Sequence, residues 1–257
     1  MGDRPEALKK TMRLDALLVE RGLAASRERA RALILAGLVR VDDRTISKAG
    51  TPVRRDANVV LIQPDHPYVS RGGLKLAHAL EVFGIDPAGR LALDVGASTG
   101  GFTDVLLRHG ATRVVALDVG HGQIDWRLRT DPRVVVLERV NARTLTAGAL
   151  PPDARLFDLI VVDVSFISLR QILPAIVPFL SRQGDLVALV KPQFEAGRAE
   201  VGTGGIVRDD RVRARVVDEV VQSAVALGLT RAGAADSPIT GMEGNQEYLL
   251  HLRWPDA

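Results

Sequence analysis

Between residues 91 and 190 five short apolar runs recur, and the segments between them read as helices. The runs are LALDV (91–95), RVVALDV (113–119), RVVVLE (133–138), LIVVDV (159–164) and LVALV (186–190). Near-continuous runs of Val, Leu and Ile at this length suit strands buried on both faces. Few architectures accept such a pattern. It predicts an α/β, doubly wound, Rossmann-like and mostly parallel sheet with helices on both sides. Ligands of such sheets lie in the crevice at the carboxyl ends of the strands. The tail departs from the pattern. A helix expected over 209–227 is followed by GNQEYLLHLRW, a final strand preceded by a turn, which predicts an antiparallel edge strand from a terminal hairpin.

The first sixty residues are organised differently. RLDALLVERGLAASRERARALILAGLVRVDDRTISKAGTPV (13–53) predicts a small α+β module of helix, helix and hairpin. Leu14, Leu17, Leu18 and Val19 form one helical stripe, ended by Gly22. Ser26 opens a second helix with Ala30, Leu33, Ile34 and Leu38 at helical spacing, ended by Gly37. Two short strands then flank an Asp-Asp-Arg turn. Charge is uneven along the chain. Residues 1–60 carry 13 Lys and Arg against 8 Asp and Glu, a net of +5, and the rest of the chain nets −2. A basic module beside a near-neutral one predicts a polyanionic partner. Arg27 and Arg31, four residues apart on one helical face, make a ridge suited to phosphates. QPDHPY (63–68), with two prolines, reads as a short stiff linker. The expected divisions are therefore 1–62, 63–68 and 69–257.

The sequence has no cysteine, which excludes disulfides, thiolate metal sites and cysteine nucleophiles. No stretch approaches the ~18 apolar residues of a membrane span. MGDRPEALKK has no apolar run after its charges, unlike a secretory signal. A cytoplasmic protein is expected, without a membrane partner. His121 reads as a polar rim residue rather than a ligand, and no metal is expected.

The first strand–helix junction is LDVGASTGGFTDVLL (93–107). Its turn holds Gly96, Ser98, Thr99, Gly100 and Gly101, with the helix expected from Phe102. Glycines there allow close approach of backbone to ligand. The spacing is neither G-x-G-x-x-G nor G-K-[ST], which disfavours a pyrophosphate cradle. Asp94, just before the first glycine, suits a cationic ammonium. Asp118, at the next strand end, suits the two hydroxyls of a ribose. Asn141, after the third strand, suits an adenine edge. An amino-acid group, a ribose and a base together describe S-adenosylmethionine.

Four further polar residues stand where side chains can converge. Asp163 and Lys191 end the fourth and fifth strands, facing the crevice directly. Lys75 follows SRGG before the first helix of the large domain, and Glu247 begins the last strand. These two reach the crevice only if the edge elements fold back over it. Methyl transfer to a hydroxyl needs in-line geometry and the removal of a proton. A lysine serves as base only when part of its population is neutral, and a charged one stabilises a developing alkoxide instead. The sequence leaves both roles open for Lys191, with Asp163 and Glu247 as orienting and charge-balancing groups. Trp126, in WRLR, is placed either against a cofactor or flipped base, or in packing. The Gly-rich stretch 194–210 reads as a lid or a substrate contact, expected to be mobile without RNA.

YVSRGGLKL, LDVGASTGGFTD, VVDVSFISLR, LVKPQFE and GNQEYL, in this order, resemble the TlyA family of ribosomal RNA 2′-O-methyltransferases, some of which carry the name hemolysin. The large domain resembles the FtsJ/RrmJ class of ribose methyltransferases. Residues 13–53 resemble the RNA-binding module first described in small-subunit ribosomal protein four, through Arg13-Leu14-Asp15, Ser26-Arg27, Ala30, Gly37 and Val39–Val41. The resemblance implies a Lys-Asp-Lys-Glu catalytic tetrad at Lys75, Asp163, Lys191 and Glu247. It implies S-adenosylmethionine on the glycine turn, bound by Asp94, Gly96, Ser98, Thr99, Gly100, Gly101, Phe102, Asp118, Asn141 and Asp163. It implies a cytidine ribose in large-subunit rRNA, and in some members one in small-subunit rRNA, as target. Arg13, Arg27, Arg31 and Arg71 are the expected RNA contacts. The competing expectations are a membrane-active hemolysin and a catalytically inactive rRNA-binding or assembly factor.

Overall fold

The structure, a computed structural model, describes residues 11–35, 37–62, 66–241 and 243–255. The N-terminal MGDRPEALKK and residues 63–65 of the expected linker lie outside the described residues. The chain divides into two compact units between Pro67 and Tyr68.

In the first unit β1 (Thr11–Arg13) runs straight into α1 (Leu14–Glu20), and α2 (Arg27–Leu35) follows after a turn. Leu14, Leu17, Leu18, Ala30, Leu33 and Ile34 are buried together, as their helical spacing requires. β2 (Val39–Val41) and β3 (Arg44–Thr45) form the expected hairpin. Its turn is Asp42-Asp43, both with positive φ (46° and 63°), the twist that two-residue hairpin turns demand. Two three-residue strands come in addition. β4 (Pro52–Arg54) pairs with β1, and β5 (Val59–Leu61) pairs with β2, both antiparallel. His66, at the end of this unit, is within 3.3 Å of Arg29 NH2 through both its ring Nε2 and its carbonyl oxygen.

The second unit opens at Tyr68, which packs over Gly73. A Cβ on Gly73 would lie 2.6 Å from that side chain. The unit then runs through α3 (Gly72–Phe83), β6 (Leu91–Val95), α4 (Gly101–Arg108), β7 (Arg113–Asp118), α5 (Trp126–Arg129) and β8 (Val134–Glu138). It continues through β9 (Phe157–Val162), α6 (Leu169–Ile176), β10 (Leu180–Val190), α7 (Pro192–Glu195), α8 (Asp210–Ala226), β11 (Thr230–Asp236) and β12 (Tyr248–Arg253). The seven strands form one sheet in the order β11-β12-β10-β9-β6-β7-β8. β10, β9, β6, β7 and β8 are parallel neighbours, and β12 and β11 are antiparallel. The final strand is therefore internal, and the edge belongs to β11. Its sequence TRAGAAD has little apolar side chain to bury, which is tolerable only at an edge.

Alternate residues of each central strand feed two cores. Leu93, Val95, Ile160, Val162, Leu186 and Ala188 pack with α6 and α8 on one face. Ala92, Leu159, Val161, Val187 and Leu189 pack with α3 and α4 on the other. The chain leaves β6 toward β7 on one side and returns to β9 on the other. The switch point thus lies between the carboxyl ends of β6 and β9. Asp163 N donates to Val95 O there at 2.9 Å.

Candidate functional site

Four elements deliver four charged side chains to this end of the sheet. Lys75 lies on the first turn of α3 beside Leu76, Ala79 and Leu80, on the stripe facing the sheet, and so is buried. α3 reaches the crevice because its start packs on the start of α4. Val69 N donates to Asp104 Oδ2 at 2.9 Å, and a Cβ on Gly101 would lie 2.3 Å from Ser70 Oγ. Asp163 follows β9 and Lys191 follows β10. Glu247 directly precedes β12. Because β12 is antiparallel to β10, with Tyr248 opposite Val190, it begins where β10 ends.

The four groups form two ion pairs in one cavity of about 640 Å³. Lys75 Nζ pairs with Glu247 Oε2, both almost fully buried. Gly241 leaves room for that carboxylate, since a Cβ there would lie 2.7 Å from Glu247 Oε1. Lys191 Nζ lies 2.6 Å from Asp163 Oδ1 and donates to Ser165 Oγ at 2.8 Å. The approach to Asp163 is a contact of charges, off the hydrogen-bonding direction. The well-directed bond goes to Ser165. Buried ion pairs of this kind are costly to assemble and add little net stability, which makes these four groups candidates for a functional site.

A second cavity, of about 500 Å³, adjoins the first and shares Gly96, Ser98, Asp163, Ser165 and Phe166 with it. Asp118, Asn141, Val119, Val140 and Ile167 also line it. Asp118 Oδ2 accepts from Ser98 N at 2.8 Å and Oδ1 from Gly120 N at 2.6 Å. Both bonds fix the carboxylate, and each oxygen keeps a lone pair for a sugar hydroxyl. An oriented acid, an amide and three apolar side chains around one slot have the chemistry to hold a nucleoside. The loop over the slot is pinned by Glu138, which accepts from Gly122 N at 2.7 Å and His121 Nδ1 at 2.8 Å and pairs with Arg129. Arg129 first among these holds the Glu138 carboxyl down at about 2.

Thr99, Gly101 and Phe102 line the first cavity, and Asn141 and Asp118 the second. Gly100 and Asp94 line neither. Gly100 caps the start of α4 with φ +95° and faces Leu128. Asp94 is fully buried under the turn, with Oδ2 accepting from Thr103 Oγ1 at 2.6 Å and Oδ1 without a partner. Burial foremost pushes its carboxyl up from 3.8 to about 7. Between those values the folded state holds a proton that the unfolded chain has released. The Asp94 contribution to stability should therefore fall as pH rises from about 4 to about 7 and level off above. Melts at stepped pH should show wild type losing stability relative to Asp94→Asn across that window. Parallel curves would contradict it.

Ser165, Gln193, Phe166 and Phe194 also line the first cavity, and the sequence reading passed over all four. Phe166 is 90% exposed and sits at φ +64°, strained for a bulky residue. Its ring meets Phe194 at 5.1 Å. Trp126 is 73% exposed, so it packs in no core. The stretch 194–210 is bonded near its C-terminal end to Asn245. Asn245, buried, accepts from Val207 N at 2.9 Å and donates to Gly205 O at 2.8 Å. Arg71 lines the first cavity, and its NH2 donates to Thr240 O at 3.1 Å.

In the first unit, Arg13, Arg27 and Arg31 converge on the buried carboxylate of Asp15, at 2.8, 3.2 and 3.3 Å. The hydrogen bond from Arg13 leads in holding the Asp15 carboxyl well below the usual range. Each guanidinium is still half exposed, so the cluster presents three cations fixed by one hidden anion.

A model of the FtsJ-like methyltransferase family matches residues 68–254, and one of the S4 domain matches residues 12–59. The 16S/23S rRNA (cytidine-2'-O)-methyltransferase TlyA of Mycobacterium tuberculosis is 53% identical over 94% of this chain and 89% of its own. Hemolysin A of Brachyspira hyodysenteriae is 42% identical over 94% of this chain and 99% of its own. A solved structure described as "Putative hemolysin from Streptococcus thermophilus" matches with a TM-score of 0.75 at 42% identity, covering 97% of this chain and 90% of that one. A sheet whose switch point carries two lysine–carboxylate pairs beside a slot lined by Asp118 and Asn141, together with these matches over nearly the whole length, places the chain in the FtsJ-like methyltransferase family, among the TlyA methyltransferases.

Proposed function

We propose that this methyltransferase moves a methyl group from S-adenosylmethionine to the ribose 2′-hydroxyl of a cytidine in ribosomal RNA, in the cytoplasm. The carrying observation is the joining of two cavities at Gly96 and Asp163, one lined by the two ion pairs and one by Asp118 and Asn141. S-adenosylmethionine fits the second: Asp118 would hold the ribose hydroxyls, Asn141 the base edge, and Val119, Val140 and Ile167 the ring faces. When bound it supplies a methyl group on a sulfonium.

The first cavity handles the acceptor. Lys191 binds the reacting oxygen, while Asp163 and Ser165 orient its Nζ. The proton that the hydroxyl loses ends on the Lys191–Asp163 pair. Lys75, held by Glu247, adds a second positive charge where the oxygen becomes negative. Phe166 offers an open ring face at the rim, suited to stacking on an unstacked base. The arginines around Asp15 and Arg71 grip phosphates. Four intact charged groups are unneeded in an inactive assembly factor. Among the described residues no helix is long and apolar enough to cross a membrane.

Ribosomal subunits lacking this modification, incubated with the protein and methyl-labelled cofactor, test the proposal. The label should appear as 2′-O-methylcytidine in large-subunit rRNA. A methyl on a base, or no transfer to either subunit's rRNA, would overturn it.

A further inference from the structure

The Asp163–Lys191 contact joins two loops that leave neighbouring strands, and neither loop alone fixes the distance between them. Beneath the cavity the same loops are tied by another carboxylate, one the chemistry above does not use. Glu195 ends α7, one turn after Lys191, and is 5% exposed. Its Oε2 accepts from Ser168 Oγ at 2.5 Å and its Oε1 from Leu169 N at 2.7 Å. Ser168 and Leu169 open α6, at the far end of the loop that starts with Asp163. Arg170 returns the connection. Its NH2 donates to Glu195 O at 2.9 Å, its Nε lies 3.4 Å from Glu195 Oε2, and its NH1 reaches Glu219 of α8 at 2.9 Å.

Between these anchors six side chains line the cavity: Asp163, Ser165 and Phe166 on one loop, Lys191, Gln193 and Phe194 on the other. The brace is costly to keep. Burial outweighs the Ser168, Leu169 and Arg170 bonds and raises the Glu195 carboxyl above its usual range. An apolar side chain would fill the space without that cost, but it has no directed bonds with which to set a loop.

We infer that Glu195 is a positioning residue for methyl transfer: by bridging α7 to the first residues of α6 it sets where the Lys191 ammonium stands relative to Asp163 and Ser165. The inference rests on the roles given to Lys191 and Asp163 above. Displacement of a reacting group by about 1 Å can lower a rate by about a hundredfold, which sets the scale of the expected effect.

The test is steady-state kinetics of the full-length protein on ribosomal subunits, with cofactor affinity by calorimetry. Glu195→Ala should lower kcat by about ten- to a hundredfold while KM for the subunit and Kd for the cofactor change far less. Glu195→Gln should restore most of kcat, because its carbonyl still accepts from Leu169 N and its amide can donate to the Ser168 hydroxyl. Wild-type kcat in Glu195→Ala would overturn the inference. So would a parallel loss of kcat, cofactor affinity and melting temperature that glutamine does not repair. If the alanine variant fails to fold, Ser168→Ala, which removes one arm of the brace, decides: reduced kcat at unchanged KM supports it, and unchanged kcat sinks it. Lys191→Ala separates the two levels. Activity there removes the underlying roles, whereas inactivity beside a fully active Glu195→Ala removes only the brace.

Discussion

Lys191→Ala should abolish methyl transfer while the cofactor still binds. The ammonium stands at the end of an apolar strand, 2.6 Å from Asp163 Oδ1 and bonded to Ser165, and among the described residues no other cation pairs with Asp163. A positioned proton acceptor contributes about 10²–10⁴-fold to a rate, and a preorganised charge at a developing oxyanion about 10²–10³-fold. Removal should thus lower kcat by at least about 10²–10³-fold, whichever role dominates. The slot proposed for the cofactor, lined by Asp118 and Asn141, is untouched, so calorimetry should give cofactor affinity no weaker than wild type. Lys191→Arg tells the two roles apart, since a guanidinium keeps the charge but cannot give up its proton. An inactive arginine variant assigns Lys191 as the base, and residual activity well above alanine assigns it as electrostatic support. Near-normal turnover in Lys191→Ala, with the fold verified by circular dichroism, would remove the residue from the chemistry.

Asp163 and Lys191 were legible in the sequence because a polar residue ending a buried strand has only one place to be. Lys75 and Glu247 were visible only as members of distinctive strings. Their arrival depends on α3 packing against Gly101 and on β12 running antiparallel to β10, and neither is written in local periodicity. Asp94 shows how parity decides a role. It precedes the first glycine, which suggested a ligand contact. Side chains alternate along a strand, however, and Asp94 shares its side with Ala92, facing Thr103 of α4. The last strand read as an edge because it came last, yet β11, poor in apolar residues, left no signal of its own. Phe166 was missed for a different reason. A phenylalanine between a strand and a helix reads as core, and only coordinates reveal that it faces water.

Gly96→Ala should cost both cofactor binding and activity, and the reason is steric. Gly96 sits at φ +87°, and a Cβ there would lie 2.4 Å from the backbone oxygen of Asp163 and 2.9 Å from its carbonyl carbon. Those atoms cannot swing aside as a side chain can. β6 and β9 are paired up to Val95 and Val162, and Asp163 N is bonded to Val95 O. The methyl group fits only if the Asp163 loop moves away from the glycine turn. That movement opens the wall shared by both cavities and carries Asp163 off Lys191. Left-handed backbone on alanine adds about 1–3 kcal/mol of strain by itself. Gly89→Ala isolates that part, because Gly89 has φ +76° with nothing within 4 Å of its would-be Cβ. At about 2–4 °C per kcal/mol for a domain of this size, Gly89→Ala should melt several degrees below wild type with full activity. Gly96→Ala should melt lower still, bind no measurable cofactor and transfer no methyl groups. Equal melting temperatures for the two variants, or wild-type cofactor affinity in Gly96→Ala, would mean that the contact between the glycine turn and Asp163 yields easily and that the two cavities do not depend on it.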